Sequence, residues 1–298
     1  MQTIKETVFS QFDCRIRQQE TAPSTFHLLA RKQKGRQAVL KIFVCLKQVP
    51  ATSKVEVDET TGVLKRTGVA SKMNPYDLYA LETALRIKES SGAEITAGTM
   101  GPPQAEAIIR EAFMMGADHG YVFSDRRLGG ADVLATSYTL SQAIQSIGDF
   151  DLILCGQQTT DGDTAQVGPA IAEYLGIPHA AWVSKLTLHG DGVDAEQQLQ
   201  DVIETVHMSF PCLVTVQQDI CMPRLPSMVR ARETRGREIP VLTLDQFPDK
   251  NPDHYGLSGS ATNVERIFPP ENKVSHEIWT DGDNAERLET QLRAWKFL

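Results

Sequence analysis

Four short apolar runs, each followed by a longer stretch with helical periodicity, fix the architecture open to this chain. Leu40–Leu46, Glu94–Met100, Gly120–Ser124 and Leu152–Gly156 read as strands. Helices are expected from Asn74-Pro75-Tyr76-Asp77 onward, through to Met115, over Asp132–Ile147 and over Gln166–Leu175. Strands that alternate with helices build a parallel sheet with right-handed crossovers, since each helix must carry the chain back to the sheet's starting edge. The fold class is therefore α/β, a doubly wound and mostly parallel sheet. Ligands in such sheets lie beyond the carboxyl ends of the strands, where the strand order reverses. The loops at Cys45–Gln48, Met100–Pro102 and Gly156–Thr164 all leave strand ends and are expected to converge.

The segment Asp151–Gly176, DLILCGQQTTDGDTAQVGPAIAEYLG, is the most specific. An apolar strand stops at a polar loop with two carboxylates and no base, and an amphipathic helix follows. Unpaired N–H groups at a helix start make a ready anion site, which the helix dipole reinforces. With no Lys or Arg in the loop, backbone amides are expected to hold a phosphate, with the Thr164 hydroxyl at the cap position. In the first helix Asn74 is expected to cap and Pro75 to occupy the first position, where its missing N–H costs nothing. Leu78, Leu81, Leu85 and Ile87 form that helix's apolar stripe, and Leu134, Tyr138, Ala143 and Ile147 the inner face of the third.

The rest of the chain bounds the function. A net charge of −8 over 298 residues disfavours a duplex nucleic acid partner, which needs a basic face. No apolar run is long enough to span a membrane. Cys14, Cys45, Cys155, Cys212 and Cys221 form no CxxC pair, so a reduced, cytoplasmic protein without a metal centre is expected. Residues 1–38 lack periodicity and an h-region and are expected to be dispensable to the fold, as a disordered tail or as a stretch before a translation start near Val39 or Leu40. Val55–Val69 suggests a hairpin excursion. After Ala181, Ser184–Leu188, Val202–Met208 and Cys212–Val216 look like antiparallel or mixed strands. The polar loop 219–237 carries five arginines. Residues 241–298 hold few hydrophobics and end in a short amphipathic helix with Leu288, Leu292 and Trp295 on one side. Such an arm is expected to leave the domain at 39–240 and wrap a second subunit.

The candidate catalytic groups reduce to structure. Asp161 and Asp163 are expected to stiffen their turn by Asx-type bonds rather than to move protons. His119, His179 and His207 have no nucleophile nearby in sequence, and Met114-Met115 reads as core.

Taken together, KIFVCLKQVP, MNPYDLYALETAL, TMGPPQAEAIIREAFMMGAD and GQQTTDGDTAQVGPAIAEYLGIP resemble the beta subunit of electron transfer flavoproteins, in the family's order and spacing, over about Leu40 to Leu298. The resemblance implies an adenine-nucleotide-binding fold paired with an FAD-carrying alpha subunit. The implied cofactor contacts are Cys45; Asn74, Pro75, Tyr76 and Asp77; Met100; and the run Gly156, Gln157, Gln158, Thr159, Thr160, Asp161, Gly162, Asp163, Thr164, Ala165, Gln166 and Val167. Of these, Thr164 to Val167 would hold phosphate, and Cys45 and Met100 would meet adenine or sugar through backbone groups.

The ligand implied is FAD in the electron-bifurcating type and AMP in the mitochondrial type. Asn-Pro-Tyr-Asp and the glycine between Asp161 and Asp163 look like the bifurcating type, in which NADH delivers hydride to the beta-site flavin and ferredoxin is an acceptor. The alternative is an AMP-loaded structural and docking subunit with no redox centre of its own. The family also places its recognition loop for acyl-CoA-type dehydrogenases at 219–237, with Leu225 as the candidate anchor. This loop is shorter than the mitochondrial one and has Arg in place of a lysine run. A stand-alone hydrolase on the same sheet is disfavoured, since the loop offers no Walker lysine, no nucleophile with a base and no metal-ligand cluster.

Overall fold

The computed structural model describes residues 39–51, 70–263, 276–280, 282 and 284–298, so the extension 1–38 and the hairpin expected at 55–69 lie outside the described residues. β1 (Lys41–Leu46) leads through the short β2 (Gln48–Pro50) and β3 (Ser71–Met73), which pair antiparallel, into α1 (Pro75–Ser91). There follow β4 (Glu94–Met100), α2 (Glu106–Met115), β5 (His119–Phe123), α3 (Val133–Ile147), β6 (Leu152–Gly156) and α4 (Val167–Leu175). β7 (His179–Leu188), β8 (Gly192–Gln198), β9 (Ile203–Ser209) and β10 (Cys212–Val216) come next. The chain closes with α5 (Met228–Glu233), β11 (Val241–Leu242) and α6 (Asn284–Ala294).

Among the described residues one nine-stranded sheet runs in the order β11-β5-β4-β1-β6-β10-β7-β8-β9. β1 is parallel to β4 on one side and to β6 on the other, so the order reverses between β1 and β6. A crevice opens there above the carboxyl ends. α1 and α2 cover one face over Ile42, Val44, Ile95 and Leu154. α3 and α4 cover the other over Phe43, Ile153 and Leu213. The doubly wound sheet expected from the alternation is present.

Several expectations are corrected. Cys212–Val216 does not join an antiparallel group: β10 lies between β6 and β7, parallel to both, and is buried along its whole length. A continuous apolar run is the mark of a strand covered on both faces. β8, GVDAEQQ, was not expected; it pairs antiparallel with β7 and β9 in a meander and buries only Val193 and Ala195 as its apolar face, a short alternation among polar residues. On α3 the expected Tyr138, Ala143 and Ile147 do face the core, joined by Ala135, Leu140 and Ile144, but Leu134 in the first turn is exposed.

The arm expected from 241 onward first returns to its own domain. β11 extends the sheet beside β5, and Leu244, Phe247 and Tyr255 are buried against Phe123 and Tyr138. Three large side chains on irregular backbone suffice to seat the segment, and no periodicity announces them. By contrast α6 has no buried residue, and Trp295, Phe297 and Leu298 are exposed. Among the described residues no helix is long and apolar enough to cross a membrane.

Candidate functional site

The crevice is framed by the segments that leave three strands: Lys47 after β1, Gly101 after β4 and the loop from Gln157 after β6. Two buried side chains at the start of α1 tie these loops together. The Asn74 Nδ2 donates to the Gln158 carbonyl (2.8 Å) and to Asp77 Oδ1 (3.0 Å), and its Oδ1 accepts from the Thr160 N–H (3.3 Å). Asp77 Oδ2 accepts from the Lys47 N–H (2.7 Å). Asn74 occupies the cap position, but its side chain makes no capping bond; the expected cap is instead a bridge between loops. Burial pushes the Asp77 carboxyl up to about 7, against the lowering pull of Asn74 and the Lys47 and Gly156 N–H groups. Gly156 is required by the close approach of α1: a Cβ there would lie 2.5 Å from Asp77 Oδ1 and 2.6 Å from the Tyr76 carbonyl carbon.

Gln157–Thr159 are half-buried, and the loop is exposed from Thr160 to Thr164. Its turn is made by Thr159, whose Oγ1 accepts from Gly162 N–H (3.4 Å) and whose carbonyl accepts from Asp163 N–H (3.1 Å). Asp161 keeps local bonds within the turn, to Thr159 and to its own N–H, and in addition Lys47 Nζ reaches it at 2.7 Å from the β1 end. Burial raises the Asp161 carboxyl, but Lys47 outweighs it and holds the group below its ordinary value. The loop therefore has a base after all, brought from 114 residues away.

Asp163 (φ 48°) and Ala165 (φ 56°) adopt left-handed backbone, unusual for residues with a Cβ, and Gln166 returns to right-handed values (φ −103°, ψ −16°). Left- and right-handed residues in succession turn neighbouring N–H groups to one side and make an anion-binding concavity. α4 starts at Val167 with Gln166 at its cap position, so Thr164, exposed two residues earlier, is not the cap. Strain of this kind persists where surrounding structure imposes it, and it gathers at ligand sites.

Cys45 and Met100 lie near the carboxyl ends of β1 and β4, both half-buried. The Cys45 thiol beside it, and burial, raise the Cys155 thiol well above the ordinary range, so it stays protonated. Thr99, next to Met100, is buried, and its hydroxyl has no hydrogen-bond partner among the described residues. Tyr76 and Gln157 line a cavity of about 670 Å³ on the β10 side of the crevice, with Trp182, Leu199, Gln217 and Asp219 among its other walls. Trp182 is exposed on left-handed backbone (φ 60°), its N–H donating to Thr215 Oγ1 (3.1 Å). An orphaned hydroxyl at the end of β4, a strained N–H cradle before α4 and a void reached past Tyr76 and Gln157 fit a nucleotide larger than its phosphates.

The structure thus gathers Asn74, Asp77, Gly156, Gln158 and Thr160 around one network, with Gln158 Nε2 donating to the Tyr76 hydroxyl (3.2 Å). Cys45, Met100 and the 163–167 turn stand at the ends of the same group of strands. Sequence reasoning missed Lys47, Thr99 and Trp182; Lys47, in KQVP beside a strand end, was the one with a usable signal. The loop 219–237 is not a plain polar loop: it contains a 3-10 turn at Gln218–Ile220 and α5, and Leu225 is exposed. No group of three metal-ligating side chains occurs among the described residues.

A mostly parallel sheet whose order reverses between β1 and β6, with helices on both faces, defines a protein of the doubly wound α/β class. The electron transfer flavoprotein domain model matches residues 61–246. The chain is 40% identical over 261 residues to the electron transfer flavoprotein subunit beta of Megasphaera elsdenii, an alignment covering 85% of this chain and 96% of that one. It is 40% identical over 242 residues to the caffeyl-CoA reductase-Etf complex subunit CarD of Acetobacterium woodii (81% and 92%), and 36% identical over 249 residues to the protein FixA of Azorhizobium caulinodans (81% and 89%). The chain belongs to the electron transfer flavoprotein family as a homologue of its beta subunits, and its role is electron transfer.

Proposed function

We propose that this chain is the beta half of a cytoplasmic flavoprotein heterodimer and holds an FAD of its own in the crevice between β1 and β6. The observation that carries the choice of FAD over AMP is the cavity of about 670 Å³ lined by Tyr76 and Gln157, which offers space at the edge of the crevice for a group beyond the adenosine and its phosphate. The adenosine lies against Cys45, Met100 and the Asn74–Asp77 turn. The diphosphate takes the N–H groups of Thr164 to Val167, and Gly162 leaves the approach open. FAD, when bound, supplies two-electron uptake and one-electron release. This chain's part is positional: Asn74 and Asp77 hold the loop Gln157–Gln166 in shape, and Lys47 neutralises Asp161 near the diphosphate.

The partner is an FAD-carrying alpha subunit, clasped by the exposed apolar side of α6 and the chain end after it. An acyl-CoA-type dehydrogenase docks at 219–237 with Leu225 as anchor. NADH is the reductant and ferredoxin the low-potential acceptor, an assignment supported by the likeness of Asn74–Asp77 and of the Asp161–Pro169 loop to the bifurcating type. Anaerobic dithionite titration of the heterodimer tests the reading. Uptake of four electrons is expected; uptake of two would leave this chain the AMP-loaded structural and docking subunit.

A further inference from the structure

Glu82 has no role in the crevice, yet it is a carboxylate only 3% exposed on α1. Its partners come from a segment 142 residues later. Arg224 Nε donates to Glu82 Oε2 at 2.7 Å, Arg224 Nη2 to Oε1 at 3.0 Å, and the Arg224 N–H to Oε2 at 3.2 Å. Arg86 Nε adds a bond to Oε1 at 3.1 Å, and Arg224 Nη1 reaches Glu89 Oε1 at 2.6 Å. Two residues before Arg224, the Met222 carbonyl accepts from Arg86 Nη2 (3.4 Å), and the Cys221 thiol lies 3.7 Å from the Tyr79 carbonyl. Positions 79, 82, 86 and 89 share one face of a helix, so the strand of chain 221–224 is strapped along α1. Burial raises the Glu82 carboxyl, but its arginine bonds prevail and keep it ionised.

The other end is fixed as well. Ser227 N–H donates to the Met114 carbonyl (3.0 Å), and Arg237 donates to the Asp118 carbonyl (2.8 Å) with its guanidinium over the Phe113 ring (4.9 Å). Between these anchors Met222 and Leu225 are 81% and 87% exposed, and Met228 and Val229 are also exposed. Four apolar side chains on a tethered backbone are what a protein-binding surface requires, and methionines adapt to the pocket they enter.

From this geometry we infer that Glu82 and Arg224 are positioning residues for partner binding: their ion pair holds Cys221–Val229 in its bound shape, so the partner need not order it. The inference rests on the docking reading given above. Arg224 and Arg237 are committed internally, whereas Arg232 and Arg235 are exposed and make no ion pair among the described residues. The partner surface is accordingly an apolar pocket with an acidic rim. A guanidinium fork on a buried carboxylate cannot be replaced by a simple charge, which separates the strap from general electrostatics.

The test uses the heterodimer with a short-chain acyl-CoA dehydrogenase and butyryl-CoA, reading the dehydrogenase's KM for the heterodimer, kcat, and amide exchange over 221–229. Glu82→Gln is expected to raise KM about tenfold, the cost of ordering one or two side chains, with kcat and flavin content unchanged and exchange accelerated over that segment. Leu225→Ala is expected to raise KM without altering exchange. Should Glu82→Gln fail to fold, Arg224→Lys, which keeps the charge and loses the fork, is read in the same way. A raised KM in Leu225→Ala with none in the strap variant overturns the positioning role alone. An unchanged KM in Leu225→Ala overturns the docking reading and the inference with it.

Discussion

The crevice between β1 and β6 and the segment from 219 to 255 are held by opposite means. The crevice is made of local backbone: strand ends, a glycine where α1 comes close, two left-handed residues and a helix start. Asn74, Asp77, Lys47 and the Gln158–Tyr76 pair reach across it. The later segment has little regular structure and is fastened by side chains to residues more than a hundred positions away: Arg224 to Glu82, Arg237 to the Asp118 carbonyl, Asp249 to Tyr138. Geometry set by neighbouring residues leaves a sequence pattern. Geometry set by remote ion pairs and lone aromatics leaves none.

That difference predicts distinct failures. The largest effect is expected from pH, through Asp77. Its carboxyl titrates near 4 in the unfolded chain and at about 7 in the folded one. The folded state therefore binds the extra proton in that window, and stability falls as pH rises from 4 to 7, by up to about 1.4 kcal/mol per unit. Denaturant midpoints measured across this range should show the slope, and Asp77→Asn should abolish it whatever its absolute stability. A wild-type midpoint that rises steadily from pH 4 to 7 would mean that Asp77 is not the buried, protonated group described.

Asn74→Ala comes next. It leaves the Gln158 carbonyl and the Thr160 N–H without their side-chain partner and removes one of the bonds to Asp77, for a loss of about 2–3 kcal/mol in denaturant unfolding, and retained nucleotide should fall with it. Retained nucleotide at wild-type level would show that the loop keeps its shape unaided. Tyr138→Phe sharpens the contrast from the other side. Losing the 2.6 Å bond to Asp249 should cost about 1 kcal/mol and speed amide exchange over 247–255, with bound nucleotide unchanged. The smallest effect is expected of Thr164→Ala: because α4 starts at Val167, its stability change should stay within about 0.5 kcal/mol. A loss above about 1 kcal/mol would restore Thr164 as a cap.

The legibility of the molecule follows the same division. The parallel sheet, β1, β4 and β6, and the helix after the Gly156 loop could be read because period and composition report burial directly. β8 could not, since only Val193 and Ala195 of its seven residues are buried apolar side chains, too short an alternation to stand out among Asp, Glu and Gln. Nor could the burial of Leu244, Phe247 and Tyr255, which depends on a surface offered by α3 and β5. Within the site, residue types near the strand ends were readable, but their roles were not. Asn74 looked like a cap and is a bridge; Asp161 looked like a turn acid and is also one half of an ion pair. Sequence shows what a side chain can do locally, and the remote partner decides among those uses.

The most direct test of the central claim, that this crevice holds a flavin nucleotide, is a count. The chain is coexpressed with its alpha subunit, the purified heterodimer is denatured, and the released nucleotides are separated chromatographically and quantified against protein. Two FAD and no AMP per heterodimer is the predicted result. One FAD and one AMP would contradict it and withdraw hydride transfer from this chain.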